Sequence, residues 1–186
     1  MYKTSIKRKE VYKFIKARLA EGMKRTDILT DLNQRYYDKV TLCKMIAAVP
    51  EMATIKKYRN WNNMLLGLLI FTIVIKIIIG VLLVSGISWY LMPLATIFAI
   101  ITVLFTLKVA KFRGYIYNLL GLFAIANMFK LISDLESTGI WGHLDLAIGA
   151  SIAALAFFLG HKMFPHYGLF GPKKDEDGKL MLGPDL

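Results

Sequence analysis

The 186-residue chain holds a single cysteine, Cys43, and three histidines. One cysteine excludes an intramolecular disulfide framework, zinc sites built from several cysteines, and cysteine-held iron–sulfur clusters. The sequence also lacks a glycine-rich phosphate loop, a G-x-S-x-G nucleophile elbow and a histidine pair spaced for a metal. We therefore expect a non-enzymatic protein without catalytic residues, metal or cofactor. The alternative is an intramembrane enzyme, which needs only one or two polar groups.

Acidic residues are also scarce, at 13 against 24 lysines and arginines, so the formal net charge is +11. Apolar residues, in contrast, make up 56% of the chain, and the mean hydropathy is +0.49. A soluble domain is usually about 45–50% apolar, and a disordered chain has far fewer apolar residues. The composition therefore predicts a small membrane protein with a basic soluble part.

Four apolar segments are candidates for transmembrane helices. A bilayer core about 30 Å thick requires about 20 mainly apolar residues in a helix, with a range of about 17–25. The segments are residues 64–84, 91–107, 115–129 with a polar continuation to 135, and 141–160. We therefore predict an all-α integral membrane protein with four transmembrane helices.

The positions of lysine and arginine predict how these helices are threaded. Residues 1–60 hold 15 of the 24 basic residues, the loop at 85–90 holds none, and the second loop carries Lys108, Lys111 and Arg113. The loop at 136–140 again holds none, and the tail carries four. Loops rich in lysine and arginine stay in the cytoplasm. We therefore expect a multi-pass protein of the inner (plasma) membrane with both termini cytoplasmic.

Three regions follow from this pattern: a basic cytosolic helical module at 1–60, a four-span transmembrane domain at 61–161, and a short cytosolic tail at 162–186. In the module, apolar residues recur every three or four positions, which predicts three short helices. We expect Thr26 to cap the second helix, Asp38 or Thr41 to cap the third, and Pro50 to end it. The predicted apolar faces consist of Val11, Phe14, Ile15, Leu19, Ile28, Leu29, Leu32, Tyr36, Leu42, Ile46 and Val49.

Three short helices with a basic surface, including the segment EGMKRTDIL at 21–29, resemble a helix-turn-helix unit. That resemblance implies nucleic-acid binding through the third helix, which offers Lys39 and Lys44. Lys56, Lys57 and Arg59 lie just before the first span and instead fit attraction to anionic lipid headgroups, at about 1 kcal/mol per residue. A third interpretation is a docking site for a cytosolic protein partner.

Five polar residues fall inside or beside the predicted spans: Lys76, Asn127, Lys130, Asp134 and Asp145. Ionisable groups in a membrane are costly and often functional. One interpretation is a wet vestibule or an ion path. The other is structural: Lys76 pairs with Asp145, Lys130 pairs with Asp134, and Asn127 bridges helices.

The last span is rich in small residues, which let helix backbones approach closely. Two pairs have the small-xxx-small spacing, Gly149 with Ala153 and Ala150 with Ala154. One of these faces can pack within the protomer and the other against a second copy. The alternative is that both faces serve tight packing within the protomer. A bundle of four short helices encloses no channel of its own, so any pore requires a homo-oligomer.

The leading functional hypothesis is a cytosolic sensing or docking module coupled to an oligomeric transmembrane domain. That domain would act as a channel or as a membrane-perturbing effector, by analogy with the architecture of bacterial defence effectors. One alternative is a membrane-tethered helix-turn-helix regulator that binds nucleic acid. Another is a small transporter, or an accessory subunit of a membrane complex.

The predicted threading is tested by reporter fusions after Phe112 and after Ser137, one in each of the last two loops. We expect opposite sides of the membrane, with Phe112 cytoplasmic, because only its loop carries basic residues. Reporters that fall on the same side would contradict the four-span topology.

Overall fold

A computed structural model describes residues 8–35, 38–85, 92–133, 135–169, 171–175, 178 and 180–182. Within these residues the chain is all-helical, with two isolated β-bridges near its C-terminal end in place of strands. The helices are α1 (Arg8–Ala20), α2 (Arg25–Arg35), α3 (Lys39–Ala47), α4 (Met52–Ser85), α5 (Met92–Ala110), α6 (Gly114–Ser133) and α7 (Leu135–Met163). The predicted all-helical architecture is confirmed.

Three helices in the described part of the chain are long and apolar enough to cross a membrane: Met52–Leu82, Gly114–Ile132 and Gly142–Met163. They correspond to the first, third and fourth predicted spans. The second predicted span falls on α5, a helix of 19 residues, and its apolar part among the residues searched is the shorter segment Ala99–Ala110. The first loop lies mostly at 86–91, outside the described residues.

Two helix boundaries differ from those predicted. Helix α4 begins at Met52 rather than at residue 64, because no glycine or proline interrupts residues 51–63 and their polar side chains are compatible with a helix. Helix α7 begins at Leu135, so the predicted loop at 136–140 is helical except at Gly139. Gly139 has φ 57° and ψ −141°, a conformation that glycine adopts readily, and it breaks the regular path of α7 there.

The chain divides into two compact units. Unit 1 comprises Met1–Tyr58, Phe112–Asn118 and Leu159–Leu186, and unit 2 comprises Arg59–Lys111 and Leu119–Phe158. Unit 1 holds 19 of the 24 basic residues and 10 of the 13 acidic ones, which gives it a formal charge of +9. It therefore joins the N-terminal helices, the start of α6, the end of α7 and the C-terminal segment into one basic body.

The first three helices of unit 1 bury a shared apolar core, on the faces that their periodicity predicts. Burying one such Leu or Ile side chain stabilises a fold by about 1.5–3 kcal/mol. The buried members of this core are Val11, Ile15, Ile28, Leu32, Leu42, Met45, Ile46 and Val49, with Phe14, Leu19 and Leu29 partly buried against them.

Asp38 caps α3, as the sequence predicts. One carboxylate oxygen accepts a hydrogen bond from the Val40 N–H at 3.0 Å, and the other accepts one from the Thr41 hydroxyl. The bonds from Thr41 hold the pKa of the Asp38 carboxyl below its ordinary value. The predicted cap at Thr26 is wrong: α2 begins at Arg25, and the Ile28 N–H already bonds to the Lys24 carbonyl at 3.1 Å.

Arg25 joins the start of α2 to the end of α3. Its side chain is 6% exposed, and its two terminal nitrogens donate to the Ile46 carbonyl at 2.8 Å and the Val49 carbonyl at 3.0 Å. Carbonyls at a helix C-terminus have no N–H partner within the helix and form its negative end. The guanidinium therefore supplies a donor to the Val49 carbonyl and adds a charged donor to the Ile46 carbonyl, which also accepts from the Val49 N–H at 3.2 Å. Glu51 adds an ion pair at 3.9 Å.

Replacing Arg25 with methionine should lower the free energy of unfolding by about 3 kcal/mol, because two buried carbonyls lose a charged donor. The measurement is denaturant unfolding of the full chain in detergent. Arg18→Met is the control, since Arg18 forms an exposed ion pair with Glu21 and should cost about 1 kcal/mol or less. Equal losses in the two variants would contradict the role assigned to Arg25.

Candidate functional site

The N-terminal helices contact the start of α6 directly. The Gly114 N–H donates to the Ala48 carbonyl at 3.1 Å. Next to it, the Arg113 guanidinium lies over the Tyr12 ring, with 3.5 Å from the guanidinium carbon to the ring centroid. A Cβ at position 114 would lie 2.6 Å from Cδ1 of Phe164, so this approach requires glycine. The start of α6 is thus fixed to both α1 and the end of α3.

Three tyrosines contribute to the electrostatics of this junction: Tyr12, Tyr115 and Tyr167. Burial raises the pKa of Tyr12, although the positive charge of Arg113 acts in the opposite direction. Burial also raises the pKa of Tyr167 to about 12, and the neighbouring Tyr12 and Tyr115 add to that rise. The phenol groups of Tyr12 and Tyr167 therefore stay neutral over a wide pH range.

The C-terminal segment folds onto the same unit. The Asn118 side-chain amide donates to the Gly168 carbonyl at 3.1 Å. The Met181 N–H donates to the Lys173 carbonyl at 2.8 Å, and Leu182 is buried. The chain beyond α7 is therefore part of unit 1, at least through Leu182.

The five predicted basic surface residues are all exposed: Lys39, Lys44, Lys56, Lys57 and Arg59. The first two lie on α3 and the other three on the first turns of α4. Helix α3 also buries five of its nine residues, Leu42, Cys43, Met45, Ile46 and Ala47. Cys43 is buried, and this burial raises the pKa of its thiol.

The predicted intramembrane polar residues are spread over three helices. Lys76 in α4 and Asp145 in α7 are half-buried, whereas Asn127 and Lys130 are exposed on α6. Asp134 lies outside the described residues. Among the residues that the structure covers, no ion pair links Lys76 to Asp145, so the two are not brought together as a salt bridge.

The small residues of α7 divide into an inner and an outer face. On the inner face, Ala153 is buried, and a Cβ at Gly149 would lie 3.3 Å from Cγ of Met128. Ala150 is half-buried between the two faces. The exposed positions Ala147, Ser151 and Ala154 follow the i, i+4, i+7 spacing of one helix face. We call these three residues the outer small-residue face.

Several structurally important residues were not identified from the sequence. Arg113 was identified only as a basic residue of the second loop, because no local sequence pattern links it to Tyr12. Asn62 is fully buried in α4, although it stands in a polar stretch. Gly121 allows close packing in unit 2, because a Cβ there would lie 2.7 Å from Cε2 of Phe157. Glycine is rare within α6, and this rarity was the only sequence signal for the packing role of Gly121.

No group of three or more metal-ligating side chains of His, Cys, Asp or Glu occurs within the described ranges. Comparison of the chain with protein-family models, curated proteins and solved structures finds no match.

The pKa of Tyr167 leads to a prediction about alkaline stability. In the unfolded chain this tyrosine ionises near its ordinary value of 10, and in the folded chain at about 12. Its contribution to stability is therefore complete below pH 10 and is lost as the pH rises towards 12.

Circular dichroism and tyrosinate absorbance, recorded from pH 9 to about 12, test this expectation. Tyr167→Phe keeps the ring and removes the ionisable hydroxyl, so part of the alkaline loss of stability should disappear. An unchanged alkaline profile in the variant would contradict the prediction.

Proposed function

We propose that the protein is a non-enzymatic four-span membrane protein in which a basic cytosolic unit senses or docks a partner and a homo-oligomeric transmembrane domain responds. The response is an ion-conducting or membrane-perturbing activity, as in a defence effector. The observation that carries the proposal is the construction of unit 1 from both the N-terminal helices and the ends of α6 and α7. A binding event on α1–α3 therefore acts directly on membrane helices.

The place where the chain returns to unit 1 supports four spans. Helix α4 leaves unit 1 after Tyr58, and the chain is back at Phe112, where the Gly114 N–H bonds to Ala48. If α4 crosses the bilayer, the chain must cross again before Gly114. Helix α5 lies between them, and its 19 residues extend for about 28 Å at 1.5 Å per residue. That length is close to the thickness of a bilayer core.

The charge of unit 1 supports a cytosolic position for it. All of its segments would lie on the same side, and they carry 19 of the 24 basic residues. Lysine and arginine near span ends favour the cytoplasmic side. The exposed Lys56 and Lys57 on the first turns of α4 are placed to meet anionic headgroups or an acidic partner.

Nucleic-acid reading through α3 is the weaker alternative. A recognition helix must present one face freely to the DNA groove. Helix α3 buries most of its residues and leaves Lys39, Val40 and Lys44 exposed, with Thr41 half-buried. The Lys44 stem also lies beside Gly171, since a Cβ there would come within 3.5 Å of Cε of Lys44. Two lysines without Arg, Asn or Gln provide little base recognition.

The outer small-residue face supports the oligomer. Its three members, Ala147, Ser151 and Ala154, leave the helix thin on a side that is exposed among the residues that the structure describes. Small residues on a membrane helix allow a second helix to pack closely. We therefore place the contact between copies on this face of α7.

The experiment compares oligomer mass in detergent with leak from liposomes that contain the purified protein. Ala154→Leu should reduce both, because it adds bulk on the outer small-residue face. Ala126→Leu is the matched control, since Ala126 is exposed on α6 and lies outside that face. Release of ions alone indicates a channel, and release of large dyes as well indicates membrane perturbation.

A wild-type protein that is monomeric in detergent and silent in liposomes would contradict the proposal. So would an Ala154→Leu variant whose oligomer mass and leak equal those of Ala126→Leu. The melting temperatures of both variants are measured as a control for folding. If both variants are folded, a loss of leak activity is not caused by a loss of structure.

A further inference from the structure

Unit 1 contains a cavity of about 90 Å³. Its polar lining consists of Arg25, Glu51, Thr54, Lys162 and His166. Because one water occupies about 30 Å³ of liquid volume, the cavity has room for roughly three waters or for one compact oxyanion. No part of the proposed function uses this space.

The lining carries more positive than negative charge. Arg25 and Lys162 are cations, His166 can donate from its ring, and Glu51 is the single acidic member. The planar guanidinium group is suited to phosphate and carboxylate oxygens. The Arg25 group is also held in place, since it bonds to the Ile46 and Val49 carbonyls. A bound anion would therefore meet a donor whose position is already fixed.

Glu51 is the carboxylate with which such an anion would compete. Its carboxylate lies 3.9 Å from the Arg25 guanidinium, beyond the distance of a good charge-assisted hydrogen bond, and the side chain is 42% exposed. A small oxyanion can thus take the place that Glu51 occupies loosely. Glu51 and the incoming anion compete for the same cation.

The cavity also lies at the ends of two candidate membrane helices. Thr54 lies in the first turn of α4 and Glu51 directly precedes that helix, where the candidate span Met52–Leu82 begins. Lys162 belongs to the last turn of α7, where the span Gly142–Met163 ends. The start of α4 is its positive end, whereas the end of α7 is negative and carries Lys162. Basic pockets between membrane helices on the cytoplasmic side bind phosphate headgroups.

We propose that this cavity binds one phosphate group, with Arg25 and Lys162 as the cations, Thr54 and His166 as donors, and Glu51 as the competing carboxylate. The phosphate is either the headgroup of an anionic lipid or free inorganic phosphate. The lipid source rests on the proposed membrane topology, whereas binding of inorganic phosphate to the protein in detergent does not.

The first test is calorimetric titration of the full-length protein in detergent with inorganic phosphate. Lys162→Gln should weaken binding about tenfold, the effect of losing one charge-assisted hydrogen bond. Glu51→Gln should strengthen it, because the competitor loses its charge. Lys174→Gln is the matched control, since Lys174 is an exposed lysine of unit 1 that does not line the cavity.

The second test identifies the source of the phosphate. The protein is placed in nanodiscs of phosphatidylcholine with phosphatidylglycerol, and retained lipid is counted by native mass spectrometry. Phosphatidylglycerol that is retained, displaced by inorganic phosphate and reduced in Lys162→Gln identifies the lipid headgroup as the ligand. Phosphate binding without such retention identifies the free anion.

The proposal is overturned if neither phosphate nor phosphatidylglycerol binds. It is also overturned if Lys162→Gln and Glu51→Gln change affinity no more than Lys174→Gln does, since general surface attraction then explains binding. Liposome leak is recorded for the same variants. Normal leak without phosphate binding would contradict only the phosphate site. Phosphate binding without leak would contradict only the proposed function.

Discussion

One charged hydrogen-bonded contact, the Arg25 guanidinium on the carbonyls that end α3, organises the basic unit of this protein. It fixes the start of α2 against Ile46 and Val49 and leaves the chain positioned to begin α4 two residues after Pro50. Ala48, between the two carbonyls, accepts the bond from Gly114. Because one short stretch receives contacts from both α2 and α6, the N-terminal helices and a candidate membrane helix are held by the same residues.

Charge and apolar surface are segregated by this arrangement. Unit 2 carries the exposed apolar side chains of α4, α5 and α6, such as Leu82, Leu104 and Phe129, which are more than half exposed. Such a surface suits lipid rather than water. Unit 1 carries most of the charge and buries its apolar residues in the ordinary manner of a soluble domain. The helices α4, α6 and α7 contribute to both, so the two environments are linked by continuous backbone.

Local patterns predicted the helices well and the contacts between them poorly. The spacing of Val11, Ile15, Ile28 and Ile46 is visible in sequence because burial of one helix face repeats with the helix period. The stacking of Arg113 on Tyr12 joins residues a hundred positions apart, and no periodicity encodes it. The apolar segment at 64–84 did not predict the start of α4 at Met52. Apolar residues indicate which part of a helix can lie in lipid, whereas proline and glycine indicate where the helix can begin or end.

The late position of the segments that complete unit 1 has a consequence for biosynthesis. The helices α1–α3 are made first, but their partners Arg113, Gly114 and Leu182 are made only after the apolar helices between them. In the proposed four-span topology, unit 1 closes only if α4 and α5 together, and then α6 and α7 together, return the chain to its starting side. In that topology a mis-threaded chain would keep Tyr12 and Arg113 apart and leave the core of unit 1 incomplete. Completion of the basic unit would thus depend on the correct insertion of the helices between its segments.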